Sequence, residues 1–578
     1  MVNKDKIILG INGMNIHTHD ASACLLINGK LIAASSEERF TGVKHTADFP
    51  VEAIKFCLKQ GDIKISDVTD IVYPFSPTLR LKEGIKYFIA NLPESLKLLS
   101  FHPFKDLLQK KGIANLLAMK LEIPRSLIKA EIRFVEHHLA HAASCFYASP
   151  FFEAAILTVD GIGEMDSGMI SKGIGTRIIP VKKIKFPDSL GLIYRAITVH
   201  LGFVKDGEEG KVMGLSSYGD ASLVNKFKKL YTLTEDGFFI NRDYFNTLYY
   251  PTDDSKIDFV TDKFKEEFGE PRNKDEELTA HHMNLAHALQ ENIERIMLHL
   301  GNLAVEMTGF KNLCMAGGVA LNSCGNGRIL KEGKIKNIYI QPASADDGAS
   351  LGAAMYVAVN EHGHRLKNIT RMPYYGMDIS DTIDEDLLER LNLDIEKLKN
   401  PPLEIAQLIF DGKIIGFAQG KAEFGPRALG NRSILADPRI ADNKKRLNEI
   451  IKKREWFRPF APVVTIEDAG KYFDGCVESP HMLLVFDVKE EFIEKLPAIT
   501  HVDNTARVQT LRREDNEYLY NILKEFEVLS SYPMLLNTSF NGPGKPLENN
   551  FKDALKTLIE SELDILIIND LIIKKTGN

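Results

Sequence analysis

Short apolar runs that end at glycine or acidic residues recur along this chain of 578 residues. Asp160 ends the run AAILTVD, Gly317 and Gly318 follow NLCMA, and Asp346 lies in SADDG after NIYIQP. Such runs predict buried strands, and glycine at a strand end lets backbone amides approach an anion closely. The repeated plan of hairpin, helix, strand and glycine loop therefore predicts a two-lobed α/β fold with a nucleotide in the cleft.

The start of the chain contains a hairpin signal. Two apolar runs, residues 23–27 and 31–38, are joined by Asn28-Gly29, a pair that favours a two-residue turn. The polar loop before them contains His19 and Asp20. A strand, a polar loop and a hairpin are typical of a phosphate-gripping β-hairpin, and equally of many sheets that bind nothing.

Two histidines four residues apart, His137 and His141, indicate a metal site. In a helix, one turn would place both imidazoles on the same face, about 5–6 Å apart at Cβ. Asp160, at the end of the next strand, adds a carboxylate, and Asp346 or Asp347 could meet the nucleotide or complete the site. Imidazole and carboxylate ligands without thiolate suit iron, zinc or manganese. The alternative interpretation is an ordinary helix surface, because this motif matches by chance very often.

The apolar residues of segment 281–304 recur on one stripe, which is the clearest pattern of an amphipathic helix in the sequence. His281, His282 and His287 resemble a second metal cluster, but we interpret them as the start and surface of this helix. Residues 51–130 are predicted to be mainly helical, and residues 207–219 to form a polar loop punctuated by glycine.

A domain boundary is predicted where the sequence loosens, from Leu366 to Ser380. Beyond it, basic residues accompany glycine- and proline-rich loops and a segment predicted to be helix-like, residues 444–462. The basic residues are Arg427, Arg432, Lys452, Lys453, Arg458 and Arg507, with Ser539 nearby. Converging guanidinium and ammonium groups suit phosphate or carboxylate. Nucleic acid is the rival ligand, because Trp456 and Phe457 lie in the basic segment, but dispersed motifs favour one small pocket.

The net charge of −7 limits the classes of partner. A negative chain does not, as a whole, attract nucleic acid or anionic membrane. The six cysteines form no CxxC, which argues against a disulfide framework and a thiolate zinc site. The N-terminal apolar run is too short for a signal peptide, and no stretch approaches the length of a membrane span. We therefore expect a cytoplasmic protein with no nucleic-acid or membrane partner.

Nine blocks of sequence, in this order and at these spacings, carry a resemblance to a known family. They are HDASACLLINGKLIAASSEERFTGVKH, EHHLAHAAS, LTVDGIGE, GKVMGLSSYG, MAGGVALN, KAEFGPRALGNRSILADPR, KKREWFRPFAP, TARVQ and NTSFNGPGKP. With these blocks the chain resembles the O-carbamoyltransferases of the nodulation (NodU), cephamycin (CmcH) and tobramycin (TobZ) type. The resemblance covers nearly the whole chain.

The resemblance implies an α/β protein of two domains. Residues 1–365 would form a two-lobed actin-like ATPase domain for carbamoyl transfer, similar to the tRNA threonylcarbamoyl-transferase. Residues 366–578 would form a YrdC-like α/β domain that makes carbamoyladenylate. In the family, carbamoyl phosphate and ATP give this adenylate, and the carbamoyl group then passes to a hydroxyl of a small molecule.

The resemblance also implies the roles of individual residues. The metal ligands would be His137, His141, Asp160 and Asp346, with iron(II) as the bound ion and Mg²⁺ accompanying the nucleotide. The residues that would cradle ATP are Gly161, Gly163, Gly317, Gly318 and Asn322. Those that would hold carbamoyl phosphate are Arg427, Lys452 (or its neighbour Lys453), Arg458, Arg507 and Ser539. The catalytic groups would be His19 and Lys44, facing the nucleotide or acceptor, together with Arg507 and Ser539.

Several points stay open at the level of sequence. His19 suits a general base for the acceptor hydroxyl and a phosphate contact equally, because histidine titrates near pH 7. The insertion around residues 95–125 matches no motif and could shape the acceptor pocket. The acceptor is not identified, and a homodimer is compatible with the sequence.

Three rival functions make different predictions. A small-molecule kinase of the actin-like fold would convert ATP to ADP, whereas carbamoyladenylate formation gives pyrophosphate and, after transfer, AMP. Threonylcarbamoyl transfer to tRNA is disfavoured by the negative charge and the fused C-terminal domain. A non-catalytic ATP-gated sensor is disfavoured by the intact polar residues in all nine blocks.

Overall fold

A computed structural model of the chain describes residues 5–13, 19–92, 109–246, 258–391 and 393–575. The chain divides into two compact units, which are Met1–Glu37 with His45–Ile369 and Glu38–Lys44 with Thr370–Asn578. The junction after Ile369 lies beside the predicted boundary, whereas nothing in the sequence indicated that Glu38–Lys44 belongs to the second unit. Residues 95–108 of the insertion lie outside the described residues.

The first unit contains two five-stranded sheets and a short hairpin. Its strands are β1 (Ile7–Asn12), β2 (Ser22–Ile27), β3 (Lys30–Ser36), β4 (Asp70–Tyr73), β5 (Glu131–Phe134), β6 (Glu153–Val159), β7 (Asp166–Ile174), β8 (Arg177–Lys185), β9 (Tyr231–Thr234), β10 (Gly237–Ile240), β11 (Asn312–Ala316) and β12 (Asn337–Ile340).

The two five-stranded sheets have the same topology. The first has the order β3-β2-β1-β4-β5, and the second has the order β8-β7-β6-β11-β12. In the first sheet, β1 pairs antiparallel with β2 and parallel with β4, and β4 pairs parallel with β5. In the second sheet, β6 likewise pairs antiparallel with β7 and parallel with β11, and β11 pairs parallel with β12. The first unit is therefore a duplicated, two-lobed α/β structure, and the predicted fold class is confirmed.

Helices connect and cover these strands. Up to Ile369 they are α1 (Glu38–Thr41, part of the second unit), α2 (Val51–Gln60), α3 (Pro77–Ala90), α4 (Gln109–Lys120), α5 (His137–Phe146), α6 (Leu190–His200), α7 (Glu209–Ser216), α8 (Val224–Phe227), α9 (Asp262–Phe268), α10 (Ala280–Thr308), α11 (Ser323–Glu332) and α12 (Asp346–Tyr356).

Two of these helices are exchanged between the sheets. Helix α5 follows the last strand of the first sheet but packs against β6 and β11 of the second. Helix α12 follows the last strand of the second sheet but packs against β1 and β2 of the first. The two helices also pack on each other, and a side chain at Gly352 of α12 would overlap the carbonyl oxygen of Ala140 in α5. Small residues thus permit the close crossing.

The second unit is built on one eight-stranded mixed sheet of order β14-β24-β23-β15-β17-β22-β18-β21. The strands are β13 (Tyr374–Asp378), β14 (Leu393–Lys397), β15 (Ile415–Ala418), β16 (Lys421–Glu423), β17 (Arg432–Ala436), β18 (Ala461–Thr465), β19 (Val485–Asp487), β20 (Thr505–Arg507), β21 (Gln509–Leu511), β22 (Met534–Ser539), β23 (Ile565–Ile568) and β24 (Leu571–Lys575). The helices are α13 (Glu385–Arg390), α14 (Pro401–Phe410), α15 (Asp442–Lys445), α16 (Ile466–Tyr472), α17 (Glu490–Ile493), α18 (Glu517–Ser530) and α19 (Phe551–Glu560). Helices α14 and α18 share a buried apolar cluster with the sheet, which makes this unit an α/β domain.

Strong local signals were interpreted correctly. Asn28 and Gly29 have φ values of 50° and 76°, as the predicted turn between β2 and β3 requires. The predicted helix over residues 281–304 is α10, and its apolar stripe is buried. The apolar runs that were predicted to be strands form β6, β11, β12, β15 and β22.

The described part of region 51–130 is mainly helical, as predicted, and it also contains β4, a four-residue strand that is buried throughout and too short to show a period. Two other predictions of local structure were wrong. Residues 209–216 of the predicted loop form α7, because Val212 and Leu215 find buried positions in spite of the glycines. The predicted helix over 444–462 ends with a π-helical turn at Arg446–Ile451, and Lys453 then takes a left-handed φ of 43° that no helix can continue.

Replacing Gly352 by alanine tests the helix crossing. The new methyl group would overlap the Ala140 carbonyl, and overpacking of this kind typically costs about 1–3 kcal/mol. Gly210→Ala in α7 is the control, because its added carbon would meet nothing within 4 Å, and alanine is favoured over glycine in helices by up to about 1 kcal/mol. Urea unfolding should show a lower midpoint for Gly352→Ala only. Equal midpoints for the two variants would contradict the close crossing.

Candidate metal centre and anion site

Helix α5 begins at His137, and its first turn aims two imidazoles at one point. The Nε2 atoms of His137 and His141 lie 3.1 Å apart, and they lie 3.2 and 3.0 Å from Oδ2 of Asp160, the residue after β6. Oδ1 of Asp346, the first residue of α12, lies 3.5 and 3.6 Å from the same two nitrogens. All four side chains are buried. The exchange of α5 and α12 therefore brings together the four predicted ligands from three elements.

This cluster fits one divalent ion. The four ligand atoms all lie within 4.8 Å of one another, while ligand atoms about 2.1 Å from a shared ion are at most about 4.2 Å apart, so a small adjustment suffices. Two imidazole nitrogens and two carboxylate oxygens form a mixed donor set that suits iron, zinc or manganese. One feature is atypical, because Nδ1 of His141 is buried without a hydrogen-bond partner among the described residues, whereas ligating histidines usually have such a partner.

The surroundings favour charged forms of these groups. Burial would lower the pKa of His141, but hydrogen bonds and charge from Asp160 and Asp346 raise it to about 9. Burial would raise the pKa of Asp160, but the two histidines hold it well below its usual range. Asp160 therefore stays ionised although it is buried, and it provides negative charge of the kind that a cation requires.

The neighbouring residues have different roles. His138 donates from Nε2 to the carbonyl of Asp166 and accepts from the hydroxyl of Thr158, and burial lowers its pKa to about 3. It is a neutral, satisfied core histidine. Asp347, the alternative to Asp346, accepts from the N–H of Gly348 and is not part of the cluster.

The predicted nucleotide glycines surround the centre, but several of their N–H groups are used inside the protein. Gly161 donates to Oδ1 of Asp160 at 2.7 Å, Gly163 to the carbonyl of Asp166, and Gly317 to the carbonyl of Ser344. These glycines also lack side chains that would crowd the metal ligands. A side chain at Gly163 would lie 2.9 Å from Cβ of His137, and one at Gly318 would lie 3.1 Å from Oδ1 of Asp160. These glycines leave room for the ligands themselves.

Asn322 is occupied by contacts within the first unit. Its Oδ1 caps α11 by accepting from the N–H of Gly325 at 3.0 Å, and it also accepts from Gln290. Its Nδ2 donates back to Gln290 at 3.1 Å. The histidines of α10 are similarly structural, because His281 contacts the Phe268 carbonyl and His282 caps the helix, as the sequence interpretation held.

His19 lies near the centre without being part of it. Its Nδ1 is 2.8 Å from Oδ2 of Asp20, and 44% of its side chain is exposed. Burial would lower its pKa, but the charges of Asp20, Asp346 and Asp160 raise it well above the ordinary value. Lys44 is described with the second unit, so the structure does not bring His19 and Lys44 together within one unit.

The second unit contains a cationic cluster. Burial and the charges of Arg507 and Arg458 lower the pKa of Arg427 well below its usual value. Burial and the charges of Arg454, Arg458 and Lys44 do the same for Lys452. These mutual shifts require the basic groups to lie close together, so the structure brings together the residues that the sequence assigned to carbamoyl phosphate, with Lys44 beside them.

Hydrogen bonds hold part of this cluster in place. Nζ of Lys452, which is 4% exposed as a residue, donates to the carbonyl and hydroxyl of Ser539 and to Oδ1 of Asn541 at 2.6, 3.0 and 2.7 Å. Nε of Arg427 is buried and has no hydrogen-bond partner within the described part of the chain. A buried guanidinium N–H that lacks an acceptor is suited to an anionic ligand.

Two arginines differ from what the sequence predicts for this cluster. Arg432 is fully buried and donates to the carbonyls of Gln419, Gly420, Asn431 and Met377, so it holds the fold together and is not part of the cluster. Arg454 was missed, although its pKa is lowered by burial and by Arg458. The spacing Lys-x-Arg-x₃-Arg from 452 to 458 is the signal that could have found it.

The chain is thus a two-unit α/β protein with one site suited to a cation and one suited to an anion. A family model described as Carbamoyltransferase N-terminus matches residues 8–355, and one described as Carbamoyltransferase C-terminus matches residues 406–575. The chain belongs to the carbamoyltransferase family.

Two relatives found by sequence agree with this assignment. Nodulation protein NolNO of Sinorhizobium fredii is 38% identical over 97% of this chain and 80% of its own length. The 3'-hydroxymethylcephem-O-carbamoyltransferase of Amycolatopsis lactamdurans is 33% identical over 46% of this chain and 49% of its own. The solved structure of HypF from T. kodakarensis is 14% identical, with a TM-score of 0.31 over 62% of this chain and 48% of that chain. Within the described ranges, no helix has the length and apolar character needed to cross a bilayer.

Removing a histidine tests the metal centre. His141→Ala deletes one of four converging ligands, so we expect binding of iron(II), zinc or manganese to weaken by about 100-fold or more. Metal content after anaerobic dialysis, measured by plasma mass spectrometry, provides the readout. His282→Ala at the start of α10 is the control and should bind as the unaltered protein does. Equal metal content in both variants would refute the site.

Glu548, beside the cationic cluster, has a testable pH dependence. Burial raises its pKa to about 7, above the ordinary value of 4.5. A raised folded-state pKa means that its stabilising contribution is complete below pH 4.5 and is lost as the pH rises through about 7. As the pH rises from about 4.5 to about 7, the free energy of unfolding of Glu548→Gln should therefore increase by about 3 kcal/mol relative to that of the unaltered protein. Urea unfolding at several pH values measures this gain. The exposed Glu560→Gln is the control, and a pH-independent difference for Glu548→Gln would contradict the shift.

Proposed function

We propose that this protein is an O-carbamoyltransferase that uses ATP and carbamoyl phosphate and transfers the carbamoyl group, through carbamoyladenylate, to a hydroxyl of a small molecule. Membership of the carbamoyltransferase family supports the group that is transferred. The name of the cephem relative supports a hydroxyl acceptor. The intermediate and the use of ATP are the parts of the proposal that need experiment.

The observation that carries the proposal is the cationic cluster of the second unit. Placing several positive groups close together lowers their pKa values and costs free energy in the absence of a ligand. A phosphate group offsets that cost, because guanidinium groups bind its oxygens bidentately. Carbamoyl phosphate and the polyphosphate of ATP both present such oxygens.

The groups of the second unit suit adenylate formation. Arg427, Arg458 and Arg507 would bind the phosphate of carbamoyl phosphate and offset the charge of the phosphate that leaves on hydrolysis to carbamate. The carbamate oxygen would then attack the α-phosphorus of ATP and release pyrophosphate. Lys452, fixed by Ser539 and Asn541, would hold the reacting anions in position.

The first unit suits the transfer step. His137, His141, Asp160 and Asp346 would hold a divalent ion, and such an ion would supply Lewis-acid chemistry towards phosphate oxygens. His19, exposed near these residues, would accept the proton of the acceptor hydroxyl or donate a hydrogen bond to phosphate. Transfer of the carbamoyl group to the hydroxyl releases AMP.

The products formed from ATP test this proposal. With ATP, carbamoyl phosphate and a panel of polyols, mass spectrometry should detect AMP, pyrophosphate and an acceptor that has gained one carbamoyl group. Arg458→Ala should slow pyrophosphate release by about 100-fold, since removal of one charge-stabilising donor typically costs 10²–10³ in rate. Arg513→Ala is the matched control, because Arg513 pairs with Glu517 on the surface of α18. Formation of ADP and a phosphorylated polyol would instead establish a kinase.

A further inference from the structure

Asp20 bridges two histidines in the first unit. Its Oδ2 lies 2.8 Å from Nδ1 of His19, and its Oδ1 lies 2.7 Å from Nδ1 of His45. A carboxylate can only accept, so both Nδ1 atoms carry protons and donate. Burial would raise the pKa of Asp20, but His45 and His19 hold it well below the usual range, which keeps the carboxylate ionised.

The backbone fixes this bridge. Asp20 has a left-handed φ of 55°, and Nδ2 of Asn12 donates to the carbonyls of His19 and Asp20 at 3.1 and 3.3 Å. The next N–H, that of Ala21, donates at 2.8 Å to the carbonyl of Thr46, the residue after His45. The two histidine-bearing segments are therefore tied together by backbone as well as by Asp20.

Gly207 provides the room that His45 needs. A side chain at Gly207 would overlap the imidazole of His45 at Nε2, and Gly207 itself has a φ of 76°. The sequence predicts no role for His45 or for the glycine-rich segment that starts at Gly207. The packing of His45 against Gly207 gives both a structural reason, because the ring is held between a glycine and a carboxylate.

We propose that His45 is a positioning residue that, through Asp20, holds the Nδ1–H of His19 and leaves Nε2 as the nitrogen that meets the ligand. A carboxylate that fixes the tautomer and orientation of an imidazole is the arrangement that makes histidine effective in proton transfer. His45 occupies the second oxygen of Asp20, so the carboxylate cannot rotate away from His19. This inference rests on the proposed function for the role of His19, but the geometry it describes can be measured separately.

The arrangement serves either role of His19. As a base, Nε2 takes the proton of the acceptor hydroxyl while Nδ1–H stays on Asp20. As a phosphate contact, Nε2–H donates while Nδ1–H again stays on Asp20. The charged and titratable groups whose fields act on His19 are Asp20, Asp160 and Asp346, with His45 on the far side of Asp20.

Nuclear magnetic resonance of the full chain labelled with ¹⁵N-histidine tests the geometry directly. The signals of His19 are assigned by their loss in His19→Gln. In the unaltered protein, Nδ1 of His19 should stay protonated throughout a pH titration in which Nε2 loses its proton. In His45→Phe, which has a ring but no donor, the neutral form of His19 should become a mixture of tautomers. An unchanged Nδ1–H of His19 in His45→Phe would overturn the proposal.

Paired variants keep the test independent of folding. Asparagine places an amide near the position of the histidine Nδ1, and glutamine near that of Nε2, so His45→Asn should preserve the His19 tautomer and His45→Gln should not. Equal behaviour of the two would also overturn the proposal. Asp48→Asn, an exposed acid in the same segment as His45, controls for loss of charge and should leave His19 unchanged, whereas Asp20→Asn should not.

Activity separates this inference from the proposed function. With a carbamoylated polyol as the measured product, His45→Gln should slow transfer about 10- to 100-fold, with an unchanged rate of pyrophosphate release and an unchanged KM for carbamoyl phosphate. His45→Asn should restore transfer. A tautomer change without any carbamoyl product from the unaltered protein would leave the positioning role intact and refute the proposed function. Equal transfer rates in His45→Gln and the unaltered protein would refute the positioning role.

Discussion

The crossing of α5 and α12 is the contact on which the first unit depends. Each helix leaves one sheet and covers the other, and at Gly352 the backbone of α12 is too close to the carbonyl of Ala140 for any side chain. Close packing of this kind is rigid, because interiors of normal density have little space into which atoms can move. The crossing fixes His141 on one helix against Asp346 on the other, so the candidate metal centre is a product of packing between distant segments.

Buried charged groups have partners of opposite charge at the candidate metal centre of the first unit and neighbours of like charge in the cationic cluster of the second. In the first unit, buried acids and imidazoles neutralise one another, as His141 and Asp160 do at 3.0 Å. In the second unit, Arg427 and Lys452 lie beside other cations, and the nearby Glu548 has a raised pKa that keeps part of its population neutral. An arrangement that is unfavourable without a ligand and favourable with an anion gives selectivity for anions. Packing alone does not explain why buried cations lie close together in the second unit.

Sequence reasoning succeeded where the signal is local. The turn at Asn28-Gly29 and the one-turn spacing of His137 and His141 depend only on neighbours in the chain. The residue pattern alone could not choose Asp346 over Asp347, which only the family resemblance separated, because that choice depends on where α12 begins relative to a helix from another part of the chain. The residue pattern alone could not separate Arg432 from Arg427 either, since both lie in one polar stretch of sequence, and it is the structure that shows Arg432 buried and bound to backbone carbonyls. His45 was overlooked because its partner, Asp20, lies on a different segment.

The segment Glu38–Lys44 belongs to the second unit, although the chain on both sides of it belongs to the first. Arg39 in this segment donates to the carbonyl of Gly425. The gene therefore cannot be divided at one point into two parts that each encode a complete unit. Recombination between two family members at the codon for Ile369 would produce a hybrid whose second unit contains seven residues from the wrong parent. Exchange of whole units during evolution requires two additional breakpoints, around residues 38 and 44.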